Sequence, residues 1–409
     1  MVSEPDFPLA GLELKTSPLK RLKSKKLLVA KERLVLNIIN YYDVVDEEFE
    51  ESSFYYKNKH LLLVFYLYES KQSALEYVIE LVADWEYPEE DLEIIRKDWN
   101  TIKTKIEEGK AHELSEGDTS YLGACTKSAN SRKLRKQPNN DKPAKPRAFS
   151  LKQGYVNHII ATLGNKDGRK YGRLFESKEV AVKETIESLV LKRLKDYYGK
   201  STSQIERDHN LDLNQKSKSY YHNLTKAILG IGTNETIQEF EKADIKFKTV
   251  RIEDNKIIEQ AISFPAFDFY EVLLQDWEES RFKDIVEGKF LFVFFKKDGN
   301  DYYLEKAMFW NMGFNDRLEC ERIYNETKAV IRSGEIVWNI KKQKNGIIYQ
   351  NNFPKIRNSK VCHVRPHAID REDKLPLPVP DKMTGMKAYT KQCFWLDKNY
   401  VLREIYKSI

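Results

Sequence analysis

Asp6, Glu13 and Lys15 stand close together in "DFPLAGLELKTSP", near the start of the chain. In an extended strand successive side chains point to opposite faces, so Glu13 and Lys15 share one face and Leu12 and Leu14 the other. Pro8 and Gly11 lie between Asp6 and Glu13, and turn residues there let the chain bend and bring the two carboxylates together. Hard cations such as Mg2+ prefer carboxylate oxygens, and an ammonium beside them can orient or deprotonate an attacking water. Asp6 and Glu13 are therefore the candidate metal ligands and Lys15 the candidate catalytic cation of a metal-dependent phosphodiesterase. A D-x6-E-x-K run taken alone also fits an amphipathic strand with a solvated Glu–Lys face, because such alternation is common in half-buried strands.

The charge pattern bears on what such a site would act on. The net charge is only +6, yet residues 20–33 hold seven Lys or Arg against one Glu, and residues 127–152 hold nine against one Asp. The second run is also rich in Asn, Ser and Pro, which predicts a long loop. Basic segments beside a carboxylate site favour a polyanionic substrate, DNA or RNA, since phosphate neutralisation supplies most non-specific nucleic-acid affinity. A charge run is also compatible with a plain solvated surface.

Positioning such a site falls to the rest of the 409 residues, which exceed one ordinary core and predict two domains. With 41% hydrophobic and 32% charged residues the composition is globular. The longest apolar runs, "LLLVFYLY" (61–68) and "FLFVFF" (290–295), are too short to cross a bilayer and read as buried central strands. Asp and Pro near the N-terminus leave no room for a secretory signal there. The four cysteines (125, 320, 362, 393) lack C-x-x-C spacing and the seven histidines form no H-E-x-x-H set. Reduced thiols in a cytoplasmic protein are expected, with no zinc or disulfide framework.

The chain also repeats itself. "GLELKTSPL" (11–19) matches "DIKFKTVRI" (244–252), aligning Lys15 with Lys248 and Glu13 with Lys246. A buried strand follows in each half. A helix comes next, marked in the first half by Ile95, Trp99, Ile102 and Ile106 and ending "KIEEG" (105–109) against "VIRSG" (330–334). "YLGACTKSAN" (121–130) then parallels "VCHVRPHAID" (361–370), and "RAFSLKQGYV" (147–156) parallels "QCFWLDKNYV" (392–401). Two copies of one α/β fold are expected, over residues 1–165 and 180–409, joined by a linker over 166–179. Residues 180–243 carry helical segments such as "IESLVLKRLKDYY" and "YYHNLTKAILG" that have no equivalent before Lys15.

"DFPLAGLELKT", the basic run with "TKSAN", and "RAFSLK" resemble the MutH and Sau-three-A family of GATC-specific endonucleases. The resemblance extends through "KERLVLNIINY" (31–41), "GKAHELSEG" (109–117), "SFPAFDF" (263–269) and "CHVRPH" (362–367), over nearly the whole chain. It is similar in particular to the family's two-copy restriction enzymes, in which a catalytic domain precedes a degenerate copy. The resemblance implies two tandem restriction-endonuclease-like (MutH-like) domains, each a mixed central sheet flanked by helices. It implies Mg2+-dependent hydrolysis of double-stranded DNA at GATC, cut before the G, by a cytoplasmic restriction-modification enzyme. Asp6 and Glu13 would hold the magnesium, Lys15 would position the water, and Lys57 in "SSFYYKNK" would be a further active-site lysine. Lys127, Arg147 and Lys152 would contact DNA in the first copy, and Arg365 and His367 in the second. Two DNA sites held together, or self-association on DNA, would follow from a basic second copy.

The family also places a glutamate on a helix upstream of the Asp, for which no counterpart precedes Asp6. That departure leads to the expectation of an N-terminally truncated form or an inactivated relative. Two rival readings stay open at this point. One is a methyl-directed nicking enzyme, against which the second copy argues; the other is a non-catalytic DNA-binding remnant.

Overall fold

A computed structural model describes residues 4–22, 27–69, 72–126, 133–164, 168–253, 258, 261–343 and 346–407. The first copy begins with β1 (Glu13–Leu22), β2 (Leu27–Ala30), β3 (Leu34–Ile38), the short helix α1 (Ser53–Asn58), β4 (His60–Leu67) and β5 (Ile79–Glu86). It continues through α2 (Glu89–Glu107), β6 (Leu122–Thr126), β7 (Arg135–Gln137), β8 (Asn140–Ala144), β9 (Arg147–Leu151) and α3 (Gln153–Thr162).

The apolar run expected as a central strand is β4. It lies parallel to β1, from Glu13 opposite Leu61 to Leu19 opposite Leu67, and antiparallel to β5. The four-stranded sheet is ordered β2-β1-β4-β5, and Leu61, Leu63 and Phe65 are wholly buried. Helix α2 carries acids in its first turn, where they favour the positive end of the helix dipole, and buries Ile95, Trp99, Ile102 and Ile106. A second sheet is ordered β3-β9-β6. The basic run expected as one long loop is more ordered than that. Its residues 135–144 form the β7–β8 hairpin, turned at Asn139 (φ 59°), and 147–151 form β9. The physical reason is that Ala144, Ala148, Phe149 and Leu151 have core to bury into.

Downstream come β10 (Lys170–Gly172), α4 (Lys178–Lys183), α5 (Ile186–Lys195), α6 (Thr202–Asp208), α7 (Tyr220–Ile228), β11 (Glu235–Ile237) and α8 (Gln238–Lys242). The helices expected from 180–243 are thus present. Part of the expected linker, β10, pairs in parallel with β11. Next are β12 (Lys246–Ile252), β13 (Ile262–Ser263), α9 (Phe269–Leu274), α10 (Arg281–Val286), β14 (Phe290–Asp298), β15 (Asp301–Trp310) and α11 (Phe314–Ser333). The chain closes with β16 (Val337–Gln343), β17 (Gly346–Asn351), β18 (Cys362–Pro366), β19 (Lys374–Pro376), β20 (Ala388–Thr390), β21 (Gln392–Leu396) and α12 (Lys398–Tyr400).

Strand pairing makes the repeat explicit. The hairpin β14–β15 follows β12 in the sheet β12-β14-β15 as β4–β5 follows β1, and each hairpin has one register shift, at Phe65/Tyr66 and at Phe294/Phe295. The order β3-β9-β6 recurs as β13-β21-β18. Leu122 to Thr126 oppose Leu151 to Arg147, and Cys362 to Pro366 oppose Leu396 to Gln392, in the same register.

The chain folds as two compact units, one of residues 1–249 with 288–310 and the other of 250–287 with 311–409. In the first unit, a single hydrophobic cluster joins Trp99 and Tyr155 of the first copy to Val190, Leu194 and Leu224 of the following helices and to Leu291 and Val293 of β14. The second unit packs its own sheet β13-β21-β18 with α9, α10 and α11. Among the described residues, no helix is long and apolar enough to cross a membrane. All four cysteines are buried free thiols.

Candidate active site

The bend between Asp6 and Glu13 is a closed turn. Phe7 and Leu12 form an antiparallel bridge, with Phe7 N donating to Leu12 O (2.9 Å) and Leu12 N to Phe7 O (3.2 Å). Pro8–Ala10 make one 3-10 turn, and Gly11 ends it in the left-handed region (φ 61°). A Cβ at Gly11 would meet nothing, so glycine is used there for its backbone freedom alone.

Closing the turn ties each carboxylate to a backbone N–H of the other segment. Asp6 N donates to Glu13 Oε2 (3.0 Å), and Leu14 N donates to Asp6 Oδ2 (3.2 Å). Glu13 is 2% exposed at the start of β1, and its Oε1 accepts from Lys15 Nζ at 2.6 Å. Lys15 Nζ also donates to Leu36 O of β3 (2.9 Å), which braces the ammonium between two acceptors. Lys57, in the last turn of α1, lies 3.4 Å from the same Oε1. The helix that carries it is fixed by the Ser52 cap and by Asn58, whose Nδ2 donates to Asn37 Oδ1 (3.0 Å) and Phe54 O (2.8 Å). Lys15 and Lys57 thus converge on the Glu13 carboxylate, to which Asp6 is tied by its backbone N–H.

Asp6 and Glu13 are the hard oxygen donors at this point. Among the described residues, no group of three or more His, Cys, Asp or Glu side chains forms a metal cluster. A pair of carboxylates still fits Mg2+, which is commonly held by one or two of them and completes its shell with waters and substrate phosphates.

The remaining expected site residues are placed differently. Lys127 lies outside the described residues. Arg147 and Lys152, expected to reach DNA, are 4% and 3% exposed. Arg147 donates Nη1 to Ala124 O (2.8 Å) and Nη2 to Leu114 O (2.6 Å), which ties β9 to β6 and the preceding loop. Lys152 Nζ donates to Thr119 O (2.6 Å), and burial lowers its pKa to about 8. In this conformation both cations direct their donors to backbone carbonyls within the fold. In the second unit, Arg365 is exposed and its guanidinium stands 5.2 Å from the centre of the Trp395 ring; the exposed His367 ring meets the same indole edge-on at 5.9 Å. Where the first copy has Glu13, the second has Lys246, its ammonium 5.5 Å from the Phe290 ring; burial lowers the Lys248 pKa.

Sequence reasoning missed Asp98. It is 5% exposed on α2 and accepts backbone N–H bonds from Ser120 (2.7 Å), Tyr121 (2.6 Å) and Leu122 (2.9 Å), so one carboxylate fixes the start of β6. Burial raises its pKa to about 6, against the pull of Lys152 and the N–H donors. The signal was available: a lone acid inside the apolar stripe of Ile95, Trp99 and Ile102. The Leu36 carbonyl and Trp395 carried no such mark.

Comparison with known proteins agrees with the geometry. The sequence profile of the family described as DNA mismatch repair enzyme MutH matches residues 2–98, which include Asp6, Glu13, Lys15 and Lys57. The type II restriction enzyme Sau3AI of Staphylococcus aureus is 35% identical over 436 aligned residues, covering 98% of this chain and 88% of that enzyme. With the α/β fold, the repeated strand register and the acid–lysine cluster already in place, that similarity over the full length shows that the chain belongs to the MutH/Sau3AI family of endonucleases.

Proposed function

We propose that this chain is a type II restriction endonuclease that hydrolyses DNA phosphodiester bonds at GATC sites with Mg2+ as cofactor. The observation that carries the reading is the convergence of Lys15 and Lys57 on Glu13 Oε1, with Asp6 tied back onto Glu13 by its own backbone. Asp6 and Glu13 would hold the cation, which when bound supplies positive charge to the phosphate under attack. Lys15, held between Glu13 and Leu36 O, keeps an ammonium where it can orient a water. Lys57 adds a second positive charge for the phosphate oxygens, and both are set before substrate arrives, which is where such charge stabilisation is most effective.

The proposal assigns catalysis to a copy spanning residues 1–165. A degenerate copy, 180–409, would bind DNA, with Arg365 and His367 as candidate contacts. The repeated register supports the two copies, and Lys246 in the Glu13 position supports the unequal roles. A methyl-directed nicking enzyme is the second reading, favoured by the mismatch-repair profile over residues 2–98. Incubating the protein and Mg2+ with plasmids that differ only in GATC content separates the outcomes. Double-strand cuts confined to the GATC plasmid are expected. Nicks would move the assignment to the second reading, and retarded but intact DNA would overturn both.

A further inference from the structure

The second copy contains an element that the first lacks. Residues 108–121 connect α2 to β6, whereas residues 334–361 connect α11 to β18, a connection twice as long. The extra chain forms the β16–β17 ribbon, to which no third strand is added among the described residues. Its register sets Ile340 opposite Tyr349, Lys341 opposite Ile348, and Lys342 opposite Ile347. Cross-strand partners share a face, so one face carries Ile340, Lys342, Ile347 and Tyr349 and the other Lys341 and Ile348. Ile340, Ile347, Ile348 and Tyr349 are 39–44% exposed and Trp338 is 49% exposed. Asn339 Nδ2 donates to Gln350 Oε1 (2.6 Å) and holds the strands in register.

A lone two-stranded ribbon is marginal in water, and one with apolar side chains open on both faces suits a partner that encloses it. Charge identifies that partner. Residues 336–369 contain seven Lys or Arg and no Asp or Glu. The major groove of B-DNA, about 12 Å wide, admits an unbent two-stranded ribbon and displays the thymine methyls, which the minor groove, about 6 Å wide, does not. We propose that the β16–β17 ribbon enters the major groove of double-stranded DNA, with Lys341 and Lys342 reaching phosphates and the face that carries Ile340, Ile347 and Tyr349 against base edges such as thymine methyls. This rests on the DNA-cleaving function proposed above and adds to it a groove-reading arm specific to the second copy.

The test uses the full chain and labelled duplexes in EDTA, so that binding is read without cleavage. Lys341→Ala/Lys342→Ala should reduce the slope of log K against log salt by about 2, at about 0.9 per phosphate contact. Ile340→Ser/Ile347→Ser should weaken duplex binding several-fold with the slope unchanged. These side chains are exposed, so both variants should melt with the parent. Independently, duplex DNA should slow amide hydrogen exchange in residues 337–351 of the parent. Parent-like affinity and slope in both variants, with unchanged exchange in a parent that does bind duplex, would overturn the ribbon proposal and leave the function standing. Protection by single-stranded DNA alone would overturn it as well. A parent that binds no DNA would sink both proposals together.

Discussion

At the scale of single residues, the site depends on a carboxylate with little room to change. Glu13 is buried, and three groups compete for its oxygens: Asp6 N–H, Lys15 and Lys57. Lys15→Ala should leave duplex binding near the parent value and lower single-turnover cleavage by about 10²–10³, the few kcal/mol that one preorganised donor is worth. Cleavage at the parent rate would remove Lys15 from the chemistry. Strand alternation put Glu13 and Lys15 on one face, and Pro8 with Gly11 announced the bend. Lys57 was legible only through resemblance, because the packing that brings α1 to β1 leaves no local trace. Resemblance could not tell that Arg147 and Lys152 spend their donors on carbonyls 23 and 33 residues away in the chain.

Among the elements, α2 and β6 meet through Asp98 rather than through apolar contact alone. Asp98→Ala would leave three buried N–H groups without an acceptor, each costing about 1–3 kcal/mol. A loss of roughly 3–5 kcal/mol in equilibrium urea unfolding is expected, and Asp98→Asn, which keeps one oxygen, should lose visibly less. Equal losses would mean that the carboxylate's packing, not its acceptors, fixes β6. The long elements were readable because their periodicity is strong: α2 from its buried stripe, β4 and β14 from apolar runs. The β7–β8 hairpin was not, since its sequence is polar and basic and the bonds that hold it reach back some thirty residues: Asn139 and Asn140 donate to Glu107 O and Gly109 O (2.8 Å each).

For the whole molecule, the two-copy reading predicts a division of labour. Lys246→Ala and Lys248→Ala should preserve cleavage of a short single-site duplex, while Arg365→Ala should weaken binding and flatten the salt slope by about one contact. Loss of single-turnover cleavage on bound DNA in the lysine variants would contradict it. Acid should destabilise the first compact unit. Burial holds His158 down at about 3 and His222 down at about 4, so on unfolding each takes up a proton near its ordinary value of 6.5. Their stabilising contribution is complete above pH 6.5 and is lost as pH falls toward those values, roughly 1–2 kcal/mol per histidine at pH 5 after allowing for partial solvent access. Urea midpoints at pH 7 and pH 5 measure this, and His158→Gln/His222→Gln should shrink the difference. The shared core of that unit has a consequence for synthesis. Its cluster includes Leu291, Val293, Leu304 and Ala307, so a nascent chain that has delivered the whole first copy still cannot close its core. At about 5–20 residues per second, the ribosome needs roughly 7–30 seconds more to supply residues 166–310. The acid–lysine cluster is therefore translated early and matured late. Chains stalled near residue 200 should remain open to protease at β4 and α2, whereas chains stalled well beyond residue 310 should be resistant. Protection of the shorter nascent chain would show that the first copy folds without waiting.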